Sequence, residues 1–206
     1  EIAPVYSDAN SACDHNQLTM EFLKKVADRH DLVCLLHEKP FAGVNGSGKH
    51  DNWSLATDTG ENLLKPGRTP SQNAQFLLFL AAFIKGVDDY QEFLRATVAF
   101  PGNDHRLGAD EAPPAIVSIF VGDELGEILD AIAGGNAYEA KGKSKIDLGV
   151  DVLPVFPKDN TDRNRTSPFA FTGNRFEFRM PGSAMNLADA NTVLNTAVAY
   201  VLREFA

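Results

Sequence analysis

The sequence predicts an α+β fold in which an antiparallel sheet packs against helices. Segments with strand-like alternation occur among segments with helical spacing, without the regular strand–helix–strand order of α/β proteins. None of the strand segments is a continuous run of Val and Ile, which is typical of parallel sheets buried on both faces. No Pro-, Gly- or Ser-rich linker divides the 206 residues, so residues 1–206 are predicted to form one domain.

The elements of the first half follow from apolar periodicity and turn signals. They are, in order, a strand at 1–6, a helix at 12–29, a strand at 32–41, a glycine-rich loop at 42–49, a strand at 50–57, a turn-rich segment at 58–70 and a helical region at 73–100 that is broken or bent near Gly86. The helix at 12–29 has its apolar residues on one face, which includes Leu18 and Phe22.

The second half is interpreted in the same way. Its predicted elements are a polar loop at 101–114, a strand at 115–121, a helix capped by Asp123 that extends to Ala133, a surface excursion at 134–145, strands at 146–155, 164–171 and 175–180, and a helix from Leu187. That last helix reaches Ala206 without a glycine or proline stop signal, and the chain begins with Glu1 inside a predicted strand. We therefore expect the chain to be part of a longer protein, truncated at both ends.

Composition and charge exclude several functional classes. The net charge is −9, from 28 acidic and 19 basic residues, and such a chain repels phosphate backbones and anionic lipid. We expect no nucleic acid and no membrane as partners. The longest apolar run, residues 76–84, is too short to span a bilayer. The two cysteines, Cys13 and Cys34, are too few for a disulfide framework, so a cytoplasmic protein with reduced thiols is predicted.

The glycine-rich loop is the first segment that carries chemistry. Its sequence GVNGSGKH, residues 43–50, nearly satisfies the phosphate-loop pattern. However, His50 stands where the magnesium-binding hydroxyl belongs, and a strand follows instead of the helix that a phosphate loop requires. A phosphate loop is therefore rejected. The loop is either an ordinary hairpin connection or a close approach of the backbone to a ligand, and His50 is either a structural residue or a metal ligand.

The flanking residues extend this segment to a longer match. HEKPFAGVNGSGKHDNWS, residues 37–54, resembles the K-P-x-x-G-x-N-G-S-G-x-H-x-x-x-S segment of glutamine synthetases. Its first residues, HEKPF, and its last residues, KHDNWS, resemble the type III branch in particular. The resemblance implies that His50 is a metal ligand, that Asn45 and Gly46 contact glutamate, and that Ser54 contacts ATP.

The beginning of the chain also resembles a segment of this family. The opening residues EIAP resemble the family strand whose glutamate binds a second metal ion, which implies that role for Glu1. Without the resemblance, Glu1 would be interpreted as a solvated end residue. Tyr6 falls where the family stacks adenine, although an aromatic residue in a strand is also typical of a core.

The segment RLGADEAP, residues 106–113, resembles the family's R-L-x-x-x-x-E-A-P, with one residue fewer than the type I pattern. The resemblance implies that Arg106 binds the substrate carboxylate. It also implies that Glu111 lies on a flap that shields the intermediate and accepts a proton from ammonium. Taken alone, such a loop with Arg and Glu would be interpreted as surface charge.

The last segment contains NRT, residues 164–166, and RFEFR, residues 175–179. Alternation places the charged side chains of RFEFR on one face of a strand and the phenylalanines on the other. A solvated edge with ion pairs is one interpretation. Another interpretation follows from the resemblance of these residues to the N-R-[ST] and R-x-E-x-R strands of the family. The resemblance implies that Arg165 and Arg175 contact ATP phosphates and that Glu177 binds metal with His50. It also implies that Arg179 contacts the transferred phosphate and glutamate. Ala170 stands where type I enzymes have another arginine, so phosphate binding must be shared differently.

Taken together, the resemblance implies a catalytic domain of the family's barrel-like fold. The activity would be ATP-dependent ligation of ammonia to L-glutamate through a γ-glutamyl phosphate, with Mg²⁺ or Mn²⁺, about two or three ions per site. The implied partners are glutamate, ammonium, ATP and further copies of the chain in a dodecamer with active sites between subunits. Two alternatives remain open: a related ligase that joins glutamate to a polyamine, and a non-catalytic partner protein. Residues 1–206 alone are expected to be inactive, because the family has further metal-binding glutamates upstream.

Overall fold

The computed structural model describes residues 2–110, 112–138, 145–146, 156–157 and 166–206. The elements are, in order, α1 Ala9–Arg29, β1 Asp51–Trp53, a 3-10 turn Pro70–Gln72, α2 Ala74–Asp89, α3 Gln91–Thr97, α4 Pro101–Arg106, β2 Ile119–Phe120, α5 Asp123–Ala133, β3 Lys145–Ile146, β4 Phe156–Pro157, β5 Phe169–Phe171, β6 Phe176–Phe178 and α6 Ala188–Phe205. Helices and a small sheet therefore share one chain, and the predicted α+β class is confirmed.

The main sheet has the strand order β1-β6-β5-β2. β6 lies between β1 and β5 and is antiparallel to both, whereas β2 is parallel to β5 at the edge. The predicted antiparallel pairing holds for the strands around β6, and the parallel edge strand is an addition to it. Asn52 lies opposite Glu177, and Trp53 lies opposite Phe176. This register brings the residues before β1 beside the charged face of β6.

The hydrophobic core lies between the sheet and helices α2 and α6. Phe83 of α2 stacks on Phe176 of β6 with 3.6 Å between ring centroids, and its ring meets Phe169 edge-on at 5.5 Å. Phe169 in turn stacks on Phe178 at 4.2 Å. Such aromatic contacts add to the stability gained by burial. Because strand side chains alternate between faces, burying Phe176 and Phe178 leaves Glu177 on the other face.

The helical region that was predicted to be broken or bent near Gly86 is interrupted four residues later, at Tyr90. Helix α2 continues through Gly86 to Asp89, and the chain turns at Tyr90 before α3. A Cβ on Gly86 would lie 3.4 Å from the backbone of Ala197 in α6. The glycine therefore permits close packing of two helices, a role that helical spacing alone does not distinguish from a break.

Four local predictions were wrong in detail. The polar loop predicted at 101–114 opens with helix α4, since Pro101 occupies the first helical position, where a missing N–H costs nothing. Asp123 lies in the first turn of α5, and the N-cap is Gly122 with a φ of 84°. The strands predicted at 115–121 and 50–57 shorten to β2 and β1.

The strands predicted at 1–6 and 32–41 are absent from the described residues of those segments. Val5 and Val33 there are 89% and 83% exposed. A strand needs a neighbour to accept its backbone hydrogen bonds, and these segments pair with no strand in the part of the chain that the structure describes. The strand predicted at 146–155 lies outside the described residues except for its first residue. The strands predicted at 164–171 and 175–180 are confirmed by β5 and β6, which are shorter than predicted.

None of the helices in the described ranges is both long enough and apolar enough to cross a bilayer. Helix α1 begins at a cap in which Asp8 accepts a hydrogen bond from the Ser11 N–H at 3.0 Å. It lies against α6, and its residues Leu18 and Phe22 are exposed.

Candidate active site

The centre of the site is the contact between His50 and Glu177. His50 immediately precedes β1, and Glu177 lies in β6, so the β1–β6 pairing brings the two side chains together. His50 Nδ1 lies 2.7 Å from Glu177 Oε1. The imidazole is half exposed, whereas the carboxylate is largely buried. One imidazole nitrogen and carboxylate oxygens are ligands that Mg²⁺ and Mn²⁺ accept, so these residues fit the predicted metal role.

Arg179 holds the other oxygen of the same carboxylate. Its Nε and Nη2 donate to Glu177 Oε2 at 2.9 and 2.6 Å, and Arg179 itself is buried. The hydrogen bond from His50 lowers the pKa of Glu177 most, burial opposes this, and Arg179 lowers the pKa further, to about 2. Glu177 therefore remains ionised at neutral pH and keeps its charge for a cation.

The neighbouring end of the β1–β6 pair carries two residues predicted to contact ATP. Arg175 is exposed and its Nε donates to Asn52 Oδ1 at 3.0 Å. Ser54 Oγ donates to the backbone oxygen of Asn174 at 3.2 Å. Both lie near the turn that joins β5 to β6, so the structure brings them to one end of the charged face.

The glycine-rich loop is fixed to the segment after β6 by backbone contacts. The Ser47 N–H donates to Glu38 O at 2.8 Å, and the Lys49 N–H donates to Pro181 O at 2.9 Å. Between them, Gly48 forms a bridge with Gly182. The loop that contains Asn45 and Gly46 thus lies beside the end of β6 and leads into a strand, which agrees with the rejection of a phosphate loop.

Arg106 binds the backbone of the segment after β6, residues 179–181. Its buried guanidinium donates to Asn103 Oδ1, Met180 O and Pro181 O through Nη1, and to Arg179 O at 2.9 Å through Nη2. A Cβ on Gly48 would overlap that guanidinium. Arg106 therefore stabilises the backbone under the glycine loop, and its predicted contact with a substrate carboxylate stays a prediction.

Glu38 was not identified from the sequence, although it stands inside the HEKPF segment. Its side chain is fully buried, and Oε1 accepts a hydrogen bond from the Ala184 N–H at 2.9 Å. A Cβ added to Gly182 would overlap this carboxylate. An acidic residue in a motif does not by itself indicate burial, so no local signal could have assigned this role.

Replacing Gly182 with Ala in the full-length protein is expected to lower the free energy of unfolding by about 1–3 kcal/mol, the usual cost of overpacking. Glu38 is enclosed and has no room to move away from the added methyl group. Gly126 in α5 provides the control, since a Cβ there meets nothing within 4 Å and a helical Gly-to-Ala change is expected to gain up to about 1 kcal/mol. Urea unfolding of both variants measures the difference, and equal midpoints for Gly182→Ala and the wild type would contradict the packing argument.

Asp51, the residue after His50 and the first residue of β1, is buried. Its Oδ2 has no hydrogen-bond partner among the described residues. Burial raises the pKa of Asp51 to about 6, although a hydrogen bond with Asn191 opposes the shift. Ionisation of this carboxyl group at neutral pH therefore works against the folded state.

Replacing Asp51 with Asn is expected to stabilise the protein at pH 8 by on the order of 1–3 kcal/mol. The folded pKa lies above the unfolded value of 3.8, so the stability from the neutral form is complete below pH 3.8 and is lost as the pH rises through 6. The gain should disappear near pH 4. Urea unfolding from pH 4 to 8 tests this, and a gain that is the same at every pH would rule out titration of Asp51 as its cause.

The remaining predicted residues are not placed at the site. Glu1, Glu111 and Arg165 lie outside the described residues. Tyr6 is 95% exposed, in a segment without regular structure. Within the described ranges, no group of three or more His, Cys, Asp or Glu side chains is arranged to hold a metal ion. The His50–Glu177 pair thus offers part of a ligand set.

Sequence comparison identifies what this chain is similar to. The family described as glutamine synthetase, catalytic domain, matches residues 1–103. The chain is 60% identical over 203 residues to the type-3 glutamine synthetase of Dictyostelium discoideum, a match that covers 98% of this chain and 28% of that protein. It is 64% identical over 177 residues to a glutamine synthetase of Butyrivibrio fibrisolvens, which covers 86% of this chain and 25% of that protein. The chain therefore spans little more than a quarter of the length of these relatives.

Solved structures with a similar fold have lower sequence identity. A GmaS structure without ligand superposes with a TM-score of 0.64 and 21% identity, over 98% of this chain and 37% of that chain. A GmaS–ADP complex superposes with a TM-score of 0.56 and 21% identity, over 94% of this chain and 38% of that chain. At this identity the likeness concerns the fold alone.

Proposed function

This chain belongs to the glutamine synthetase family, and from that premise we propose that the protein joins ammonia to L-glutamate with ATP, through γ-glutamyl phosphate. The observation that carries this proposal is the arrangement of His50, Glu177 and Arg179 on one strand pair. An ionised carboxylate stands between an imidazole and a buried guanidinium. Such an arrangement provides both ligands for a divalent cation and a positive charge for an anionic substrate.

The first step needs dense positive charge. The γ-carboxylate of glutamate is anionic, so its oxygen must approach the γ-phosphorus of ATP against electrostatic repulsion. Arg175 and Arg179 flank β6 and would hold phosphate and carboxylate oxygens through charge-assisted hydrogen bonds. Mg²⁺ or Mn²⁺, held by His50 and Glu177, would neutralise phosphate charge when bound.

The second step needs ammonia and the exclusion of water. Ammonia attacks the carbonyl carbon, a C–N bond forms, the C–O bond to phosphate breaks, and phosphate leaves. Glu111, between Asp110 and Ala112, is proposed to accept the proton that ammonium must lose. On either side of it in the sequence, the Gly108 N–H donates to Pro113 O at 2.9 Å.

The other roles are proposed on the family resemblance. They are glutamate binding by Asn45, Gly46 and Arg106, nucleotide binding by Ser54, Arg165, Arg175 and Tyr6, and a second metal position at Glu1. For Ser54, Arg175 and the loop with Asn45 and Gly46, their position beside the β1–β6 pair also supports the proposal. We also propose that the protein assembles into a homo-oligomer with active sites shared between subunits. Its proposed location is the cytoplasm. The presence of more than one metal ion per site belongs to the proposal as well.

The test is to follow ADP and glutamine together in the full-length protein with glutamate, ATP and Mg²⁺, with and without ammonium. Equal amounts of ADP and glutamine that require ammonium are expected. Product formation only with another amine would replace ammonia as the substrate and support a polyamine-type ligase. The absence of ADP release with every amine tested would overturn the catalytic proposal.

A further inference from the structure

Glu38 is buried where two distant segments of the chain meet. Its side chain is fully buried, and Oε1 accepts a hydrogen bond from the Ala184 N–H at 2.9 Å. The backbone oxygen of Glu38 accepts the Ser47 N–H at 2.8 Å. Glu38 therefore binds the glycine-rich loop through its backbone and the segment 181–185, which follows β6, through its side chain.

The negative charge of Glu38 has a buried cation for a neighbour. Burial lowers the pKa of Arg106, and the charge of Glu38 opposes this shift. Arg106 and Lys49 both donate to backbone oxygens of the segment 181–185. A buried carboxylate without a compensating charge would be costly, so Glu38 and Arg106 stabilise each other beside the segment that both of them bind.

The packing around Glu38 is close on three sides. A Cβ on Gly102 would lie 2.9 Å from Oε2, and one on Gly182 would lie 2.4 Å from Oε1. A Cβ on Gly46 would lie 2.6 Å from the backbone oxygen of Glu38. Glycines thus allow three separate segments to approach one residue more closely than side chains would permit. The position of Glu38 is therefore tightly linked to the positions of these segments.

The two segments that Glu38 joins carry or adjoin residues proposed to bind glutamate. The glycine-rich loop contains Asn45 and Gly46, and the segment 181–185 begins two residues after Arg179. The distance between these proposed glutamate contacts depends on how the loop lies against the end of β6. Glu38 restricts that distance because it binds both sides.

The residues proposed to contact ATP lie at the other end of the strand pair. Because β1 and β6 are antiparallel, the end of β1 adjoins the beginning of β6. Ser54 follows β1 and Arg175 precedes β6, whereas Glu38 binds the segment that follows β6. A change at Glu38 should therefore affect the glutamate contacts more than the ATP contacts.

We propose that Glu38 is a positioning residue that fixes the glycine-rich loop against the segment 181–185 and so determines the affinity of the site for glutamate, an inference that rests on the proposed function. The side chain of Glu38 has no exposed surface for a substrate. Its effect passes through the backbone on which Asn45, Gly46 and Arg179 stand.

The test measures the KM for glutamate and the KM for ATP in the full-length Glu38→Gln variant. Glutamine has the shape of glutamate and can still accept the Ala184 N–H, but it leaves Arg106 without the opposing charge. We expect the KM for glutamate to rise about tenfold, the equivalent of about 1.4 kcal/mol, which is within the usual cost of leaving a buried polar group unpaired. The KM for ATP should not change.

Glu38→Asp is the conservative variant, and it decides the question if Glu38→Gln does not fold. It keeps the charge but is shorter by one methylene group, so its hydrogen bond to Ala184 is weakened. The KM for glutamate should rise about threefold, as expected for one modest hydrogen bond. A wild-type KM for glutamate in both variants would overturn the inference.

Ile128→Val is the matched control for a loss of stability. Ile128 of α5 is fully buried and has no proposed role, and the variant loses one buried methyl group. It should keep the wild-type KM for both substrates. Equal rises of the KM for glutamate and the KM for ATP in Glu38→Gln would also overturn the inference, because Glu38 would then be structural only.

Calorimetry with L-glutamate separates this inference from the proposed function. Wild-type protein that binds no glutamate would overturn the proposed function, and the inference with it. If the wild-type protein joins glutamate to another amine, the proposed product is wrong, but the KM for glutamate in that reaction still supports or overturns the role of Glu38.

Discussion

Replacing Glu177 with Gln in the full-length protein is expected to lower Mn²⁺ affinity at least about 100-fold and to remove most glutamine formation. Changes in groups that merely orient metal ligands already cost about 10–100-fold, and Glu177 is a proposed ligand. The amide matches the carboxylate in shape but carries no charge. Titration of the purified variant with Mn²⁺, beside the turnover assay, gives both quantities.

The same substitution should also affect stability in a pH-dependent way. The pKa of Glu177 is lowered from 4.5 to about 2, so its contribution is complete above pH 4.5 and is lost as the pH falls through 2. At neutral pH the variant should lose about 1–3 kcal/mol, since the hydrogen bonds to Arg179 are no longer made to a charged acceptor. Glu92→Gln, an exposed change in α3, should alter neither property. Wild-type Mn²⁺ affinity in Glu177→Gln would contradict the metal assignment.

Replacing Glu111 with Ala is expected to preserve ATP binding and to lower glutamine formation about 100-fold or more, the usual contribution of a general base. Ammonium would lose the proposed proton acceptor, while the proposed ATP contacts Ser54 and Arg175, which stand next to β1 and β6 in the sequence, are not changed. Nucleotide binding by calorimetry and glutamine formation by direct detection separate the two effects.

Glu204→Ala provides the control for this variant, because Glu204 is exposed near the end of α6 and has no proposed role. It should retain both ATP binding and turnover. Wild-type turnover in Glu111→Ala would refute the proton-acceptor assignment. Loss of ATP binding would place Glu111 in nucleotide binding instead.

The arrangement on β6 could be predicted from the sequence because alternation is a local property. Charged and aromatic residues alternate from Arg175 to Arg179, and the structure buries the phenylalanines and keeps Glu177 on the other face. The partnership of His50 with Glu177 came from family resemblance, and the β1–β6 pairing explains it physically. No periodicity contains the information that β1 and β6 are neighbours.

What the sequence could not predict depends on distant contacts. The buried hydrogen bonds of Arg106 are made to residues 179–181, and these partners cannot be deduced from the local pattern around Arg106. Gly86 was interpreted as a break or bend, since nothing in the local sequence indicates that it packs against α6. Glu38 and Ala184 are 146 residues apart, and neither stands in a pattern that indicates the other. The strand at 32–41 was predicted from its composition, but a strand forms only where a neighbouring strand accepts its backbone hydrogen bonds.

The short connection between β5 and β6 has a consequence for how the chain tolerates length changes. The turn is closed by the Thr172 N–H, which donates to Arg175 O at 2.9 Å, and Gly173 takes a φ of 95°. Because side chains in a strand alternate between faces, a slip of the β5–β6 register by one residue would turn Glu177 towards the core and its flanking phenylalanines towards the opposite face. Only a slip by an even number of residues keeps the proposed metal ligand on its own face, so the conformation of this turn, which fixes the register, constrains the site.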